Sequence, residues 1–99
     1  MSDNNNLDFD KLDPVAQFMI NHLKSAKPND PVSPEQVAKA FAETVRREND
    51  GANLWRKYFN AVKQQAIFLA RNDVIELTRR GEVVDPDNFK GLIRLRIKK

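Results

Sequence analysis

Basic side chains recur at alternate positions near the end of this 99-residue chain, in the stretch GLIRLRIKK. Arg94, Arg96 and Lys98 alternate there with apolar residues. Alternate side chains of a β-strand share one face, so these three bases are predicted to form a row of cations. Such a row suits the phosphates of a nucleic acid. Two alternatives remain: Lys and Arg protect a sheet edge from aggregation, or the arginines pair with carboxylates. The candidate carboxylates are Glu76, Asp85 and Asp87.

A second set of polar residues lies in residues 51–72, a stretch without any acidic residue. On a helical wheel they fall opposite the apolar stripe, and they are Arg56, Lys57, Asn60, Lys63, Gln64 and Arg71. Lys and Arg neutralise phosphates, while Arg, Asn and Gln can make paired hydrogen bonds to base edges. The pattern therefore suits contact with a DNA groove. A solvated face built from good helix formers is the competing explanation.

Three helices are predicted to position these side chains. Asp13 can cap a helix over residues 14–26, and Ser33 can cap a second over residues 34–46. The longest apolar period, over residues 53–72, gives the third helix. The positions predicted to face the core are Val15, Phe18, Met19, Leu23, Ala26, Val37, Ala38, Phe41, Val45, Trp55, Phe59, Val62, Ala66 and Leu69.

After Asn72 the apolar period changes from helical to alternating, which predicts a strand around residues 75–78 and another over residues 92–97. A long turn-rich connection separates them, in which Asp85 is expected to bond to turn backbone. The bases Arg79 and Lys90 are expected beside the row on the last strand. The proline-rich segment before the second helix allows a loop or one short edge strand around Val32.

This order of elements predicts an α+β fold, a winged helix with a three-helix helix-turn-helix core and a C-terminal β-hairpin wing. The domain is expected over residues 13–99, preceded by a flexible acidic and polar tail over residues 1–12. Leu7, Phe9 and Leu12 offer apolar contacts through which part of the tail could dock on the domain.

The stretch from Trp55 onward resembles a bacterial family of small winged-helix-like domains of unknown function. The shared pattern is WR, an apolar helix, IxxTxxG, VDP and GxIRLR. The matching positions are Trp55, Arg56, Ile75, Thr78, Gly81, Val84, Asp85, Pro86, Gly91, Ile93, Arg94, Leu95 and Arg96. Including SPEQVAKAF, the resemblance covers residues 14–97 and implies the fold but no activity. Where the family has proline before the last Ile, this chain has Leu92.

Composition narrows the class of protein. An apolar share of 40% and a charged share of 31% are typical of one soluble globular domain, and the absence of cysteine excludes disulfides and thiolate chemistry. Residues 1–50 hold nine acids and six bases, whereas residues 51–99 hold five acids and eleven bases. The basic second half suggests a polyanionic partner. We find neither a signal peptide nor a membrane span and expect a cytoplasmic protein.

These features favour binding over catalysis. His22, the single histidine, falls on an apolar helix face, where a hydrogen-bonded core role is expected, and no metal, cofactor or nucleophile motif is present. The first hypothesis is a nucleic-acid-binding winged helix, with duplex DNA as partner. The alternative is a winged-helix module that binds protein without nucleic acid. Ile67 and Phe68 are expected to pack against the wing or the first helix, or to mark a dimer or partner surface.

Overall fold

The computed structural model describes residues 8–26 and 30–98 of the chain. Three helices come first: α1 (Pro14–Ser25), α2 (Pro34–Val45) and α3 (Trp55–Arg71). Three strands follow: β1 (Ile75–Arg79), β2 (Glu82–Val83) and β3 (Arg94–Ile97). The α+β winged-helix prediction is confirmed, with each helix within two residues of its expected bounds.

The first two helices begin as their capping residues predict. The Asp13 carboxylate accepts a hydrogen bond from the Val15 amide at 2.8 Å, with Pro14 in the first turn. Ser33 and Gln36 form a reciprocal capping box at the start of α2. No side-chain cap bonds the start of α3; a turn over residues 52–54 leads into it instead.

The strands form an antiparallel sheet in the order β2-β1-β3. Leu77 lies opposite Leu95, and Thr78 lies opposite Arg94. On the far side of β3, Val32 forms a one-residue bridge to Leu95 through two backbone hydrogen bonds of 2.9 and 2.7 Å. Of the two possibilities expected around Val32, a loop or a short edge strand, the structure has a loop with this single bridge, which ties the α1–α2 connection to the wing.

The connection between the two predicted strands contains a third strand that was not predicted. Residues 82–83 form β2, which folds back on β1 through the two-residue turn Arg80-Gly81. Both turn residues have positive φ, 55° and 84°, the signature of a type I′ hairpin. Asp85 bonds the Asp87 amide at 2.9 Å, which confirms its expected turn role. The last strand begins at Arg94 rather than at residue 92, because its pairing with β1 ends at the Thr78–Arg94 pair; Gly91, shortly before it, adopts φ +84°.

The core lies between the helices and the inner face of the sheet. Fully buried residues from all of these elements form it, including Met19, Val37, Leu69, Leu77 and Leu95. The predicted apolar stripes are largely confirmed, but their large aromatics lie at the core margin, where Phe18, Phe41, Trp55 and Phe59 are half-buried. Ala16, Ile20 and Ala42 are buried although they were not predicted, and Val45 is exposed.

Part of the predicted tail is described. Residues 1–7 lie outside the described residues, whereas Phe9–Lys11 form a 3-10 helix just before α1. The Gln17 side chain donates a hydrogen bond to the Phe9 carbonyl at 2.9 Å, and Leu12 packs against the core.

Candidate nucleic-acid interface

The outer face of α3 carries the polar residues predicted for groove contact. All six are exposed in the structure: Arg56, Lys57, Asn60, Lys63, Gln64 and Arg71. The buried side of the same helix presents Val62, Ala66 and Leu69 to the core. The helix therefore separates its charged and apolar residues as the wheel predicts.

A concave groove of about 770 Å³ lies between α3, the start of α2 and the wing. Four basic residues line it: Lys63 on α3, Arg79 at the end of β1, Arg80 in the hairpin turn and Arg94 on β3. We call this set the groove cations. Within residues 8–26 and 30–98, no ion pair engages any of the four. The Arg94 side chain instead donates to the Pro31 carbonyl at 3.5 Å, and the Lys63 ammonium lies 5.2 Å from the centre of the Phe59 ring.

Three other predicted binding residues are paired with carboxylates. Arg71 is bonded to Asp87. Arg96 donates to Glu76 at 2.8 Å across the β1–β3 pair, which is one of the pairings that the sequence left open. Lys98 lies 3.2 Å from Asp73. The three bases of the predicted row are therefore in different environments. Arg94 lines the groove, whereas Arg96 and Lys98 are each paired with a carboxylate.

Arg79 and Lys90, which were expected beside the row of bases, do not lie there. The register places Thr78 opposite Arg94 and pairs Arg79 with Glu82, so Arg79 does not lie across the hairpin from the basic row. Arg79 and Arg94 nevertheless line the same groove from adjacent strands. Lys90 is exposed in the loop before Gly91 and does not line the groove.

Sequence reasoning missed Arg80. It stands next to Gly81 in the segment that was predicted to be a long turn-rich connection, and no apolar alternation there indicates which way its side chain points. The usable signal was the Arg-Gly pair between two short β-prone stretches, since glycine at the second position favours a type I′ hairpin.

Gly91 lies against the Arg79 side chain. A Cβ atom added at Gly91 would lie 3.2 Å from the Arg79 Nε and 3.3 Å from its Nη2, so the guanidinium packs directly over bare backbone. The glycine φ of +84° is a second reason why a side chain is disfavoured there. A side chain at position 91 would therefore crowd the Arg79 guanidinium.

We predict that Gly91→Ala lowers the free energy of unfolding by about 1–2 kcal/mol, because alanine must adopt a left-handed backbone and push against Arg79. Gly51→Ala is the matched control, since Gly51 has no positive φ and nothing within 4 Å of an added Cβ. Urea denaturation of both variants measures the difference. Equal stability of the two variants would contradict the assigned role of Gly91.

Trp55, which was predicted to face the core, lies at the α2–α3 contact. Trp55 packs edge-on to Phe59 and lies 5.1 Å from the Lys39 ammonium and 5.4 Å from the Arg56 guanidinium. It therefore anchors the core margin while holding one predicted DNA-contacting side chain. His22 is half-buried and stacks on Phe18, a position at the edge of the core rather than inside it.

Ile67 and Phe68 occupy different environments. Ile67 packs against the core and lines the groove, whereas Phe68 is 39% exposed. The two residues do not share one burial environment, although they are adjacent in sequence.

Among the described residues, α3 is the longest helix, and neither it nor the shorter helices combine the length and apolarity that crossing a bilayer requires.

Comparison with known proteins gives a family. The model of the family described as Protein of unknown function (DUF3253) matches residues 13–98, which is nearly the whole chain. The match agrees with the family resemblance stated from the motifs of residues 55–96. No curated protein matches the sequence.

Proposed function

The chain belongs to the DUF3253 family, and from the placement of its basic residues we propose that it is a small winged-helix protein that binds nucleic acid, with duplex DNA as the expected partner. In this proposal α3 enters the major groove and the wing contacts the adjoining backbone. The protein is a binding protein without catalytic activity, and it has a regulatory role if it selects a sequence.

The observation that carries the proposal is the convergence of the groove cations. Lys63 comes from the proposed recognition helix, and the other three come from the wing, which lies up to 31 residues later in the sequence. Binding to phosphates gains free energy by releasing counterions, and cations already paired with carboxylates contribute less to it. Four bases without a carboxylate partner among the described residues therefore suit a polyanionic backbone better than a surface of mutually compensated charges.

The exposed face of α3 adds groups that can recognise bases. Asn60 and Gln64 are one turn apart on the exposed face, with Lys57 and Lys63 beside them. An amide side chain can donate to and accept from adenine in the major groove, while neighbouring lysines hold the phosphates. Because residues 51–72 contain no acidic residue, no carboxylate of α3 itself would repel the DNA.

We expect the purified protein to bind a fluorescein-labelled random duplex with an affinity that falls by about two orders of magnitude between about 50 and 200 mM salt. This estimate takes about four phosphate contacts, one for each groove cation, and the B-DNA slope of about −0.9 per contact. Fluorescence anisotropy measures it. No binding at the lower salt concentration would reject the proposal, and binding without salt dependence would reject the groove cations as its basis.

A second candidate function rests on exposed apolar residues of the wing. Leu92 is 93% exposed, and Val83 is 55% exposed. Large apolar side chains on a protruding element are also typical of protein-interaction surfaces. Recovery of a stoichiometric protein partner from nuclease-treated lysate, lost on Leu92→Ser, would favour this function over nucleic-acid binding.

A further inference from the structure

We propose that the groove between α3 and the wing is a binding site for a small amphipathic anion, namely a carboxylate attached to a hydrocarbon body. This inference goes beyond nucleic-acid binding, because it gives a role to the apolar residues of the groove. Contacts with a phosphate backbone would not explain them.

The floor of the groove is apolar. Phe59 and Ile67 contribute to it from α3, and Phe89 and Ile93 contribute from the wing. All four are half-buried and pack against the core, so they form a continuous surface supported from below. Leu92 stands at the margin of the groove with 93% of its surface exposed. A hydrocarbon body placed on this floor would remove apolar surface of both partners from water.

The size of the groove fits a small molecule. Its volume of about 770 Å³ falls within the range of about 300–1,000 Å³ that is usual for small-molecule sites. Such sites combine apolar walls with a few polar groups that fix orientation. The groove has this composition, with the groove cations among apolar side chains.

The charge of the groove selects an anion. Among the described residues that line it, Glu35 is the single acid, and the Glu35 carboxylate lies 2.9 Å from the Lys39 ammonium. No carboxylate of the described chain lies within ion-pair distance of a groove cation, although Glu82 is opposite Arg79 in the β1–β2 register and Arg94 donates to the Pro31 carbonyl at 3.5 Å. A guanidinium can bind a carboxylate through two parallel hydrogen bonds, which makes the arginines the preferred contact for the ligand head.

Arg79 is the arginine best placed for this role. Its guanidinium lies against the backbone of Gly91, where an added Cβ would be 3.2–3.4 Å from three of its atoms. Packing against a fixed backbone reduces the conformational freedom that the side chain loses when it binds. The apolar residue Ile93 lines the groove two positions beyond Gly91. The carboxylate is therefore assigned to Arg79, and the hydrocarbon body to the floor beside it.

Octanoate is the probe for this site, with octanol and acetate as matched compounds that lack the charge or the hydrocarbon body. We expect octanoate to cause saturable shifts in the ¹H–¹⁵N spectrum, centred on residues 59–67, 79–81 and 89–94. Octanol should bind at least about tenfold more weakly, and acetate should not saturate, because each lacks one of the two contributions. No saturation by octanoate, shifts centred outside the groove, or equal affinity for octanol would each overturn the proposal.

Variants locate the site. Arg79→Gln should lower octanoate affinity to that of octanol, and Ile67→Asp should weaken it by at least about tenfold, because the new carboxylate repels the ligand and removes apolar contact. Lys24→Gln lowers the net charge by the same amount as Arg79→Gln, but on the exposed side of α1, and it should leave octanoate affinity within about twofold. The dispersion of each spectrum shows whether the variant is folded. If Arg79→Gln does not fold, Arg79→Lys provides a milder substitution. Equal losses in the Arg79 variant and in Lys24→Gln would contradict the assigned site.

This titration contains no nucleic acid, so its outcome is separate from that of the DNA experiment. Octanoate binding without DNA binding would reject the proposed function and leave the ligand site standing. DNA binding without octanoate binding would reject the ligand site alone.

Discussion

Duplex DNA is expected to bind about 100-fold more weakly to the double variant Lys63→Glu/Arg94→Glu than to the natural protein at about 50 mM salt. Each substitution removes one cation from the groove and replaces it with an anion, at one position on α3 and one on β3. One phosphate contact contributes about a factor of ten at this salt concentration, and repulsion by the new carboxylate adds to the loss. Both residues are exposed, so the fold should be unaffected.

The salt dependence separates this effect from unfolding or nonspecific loss. Removing two contacts should reduce the slope of log affinity against log salt by about 2, so the difference between the variant and the natural protein shrinks at higher salt. Anisotropy titrations at three or more salt concentrations measure the slope. The control is Arg96→Gln, because Arg96 is already paired with Glu76 and should change affinity by only a few fold. Unchanged affinity in the double variant would exclude the groove from DNA binding.

Leu95→Ala is expected to lower the free energy of unfolding by about 3 kcal/mol, within the usual range of about 2–5 kcal/mol for a buried leucine. Leu95 is fully buried where β3 crosses the core, opposite Leu77. Its backbone also carries both hydrogen bonds to Val32, so the cavity would form where the wing joins the helical core. For a domain of this size the loss corresponds to a fall in Tm of roughly 12–24 °C.

Leu92→Ala is the matched control for this experiment. It makes the same chemical change three residues earlier, at a side chain that is 93% exposed. We expect its free energy of unfolding to stay within about 0.5 kcal/mol of the natural value. Urea denaturation followed by circular dichroism compares the two variants. A similar loss in both would show that Leu92 is buried in the folded protein in solution, through an oligomer or another contact.

Local signals explain how much of the fold was predictable. A capping side chain bonds to backbone two or three residues away, so Asp13 and Ser33 located the starts of two helices. Apolar spacing likewise reports a helical or extended backbone over a few residues, and it located α3 and the change to strands after Asn72. These interactions lie within short stretches of sequence and need no knowledge of the rest of the fold.

The candidate site was less predictable because it depends on distant pairs. The sequence indicated that Arg71, Arg94, Arg96 and Lys98 were basic and exposed or near the surface, but not which of them would meet a carboxylate. The β1–β3 register puts Glu76 opposite Arg96 and Thr78 opposite Arg94. A shift of register by two residues would keep the same faces and put Glu76 opposite Arg94 or Lys98 instead. The charge available to a ligand therefore depends on register, which the residue types do not specify by themselves.

The groove shows the same dependence. Lys63 and Arg94 are 31 residues apart in the sequence and become parts of one surface only when the wing docks beside α3. The tight turn at Arg80-Gly81 brings a basic residue to the groove that the prediction of a long turn-rich connection did not place. Gly91, predicted as a turn residue, also makes room for the Arg79 guanidinium.

The sequence by itself determined the three helices, the alternating strands, the apolar stripes and a basic second half without acids along α3, because each follows from residue type and spacing over one or two turns. Tertiary structure alone decided which bases meet a carboxylate, which side of α3 meets the wing and that apolar residues line the groove beside the groove cations. Those properties depend on strand register and on the packing of elements that are distant in sequence, where many arrangements satisfy the same local preferences and the shared core selects one.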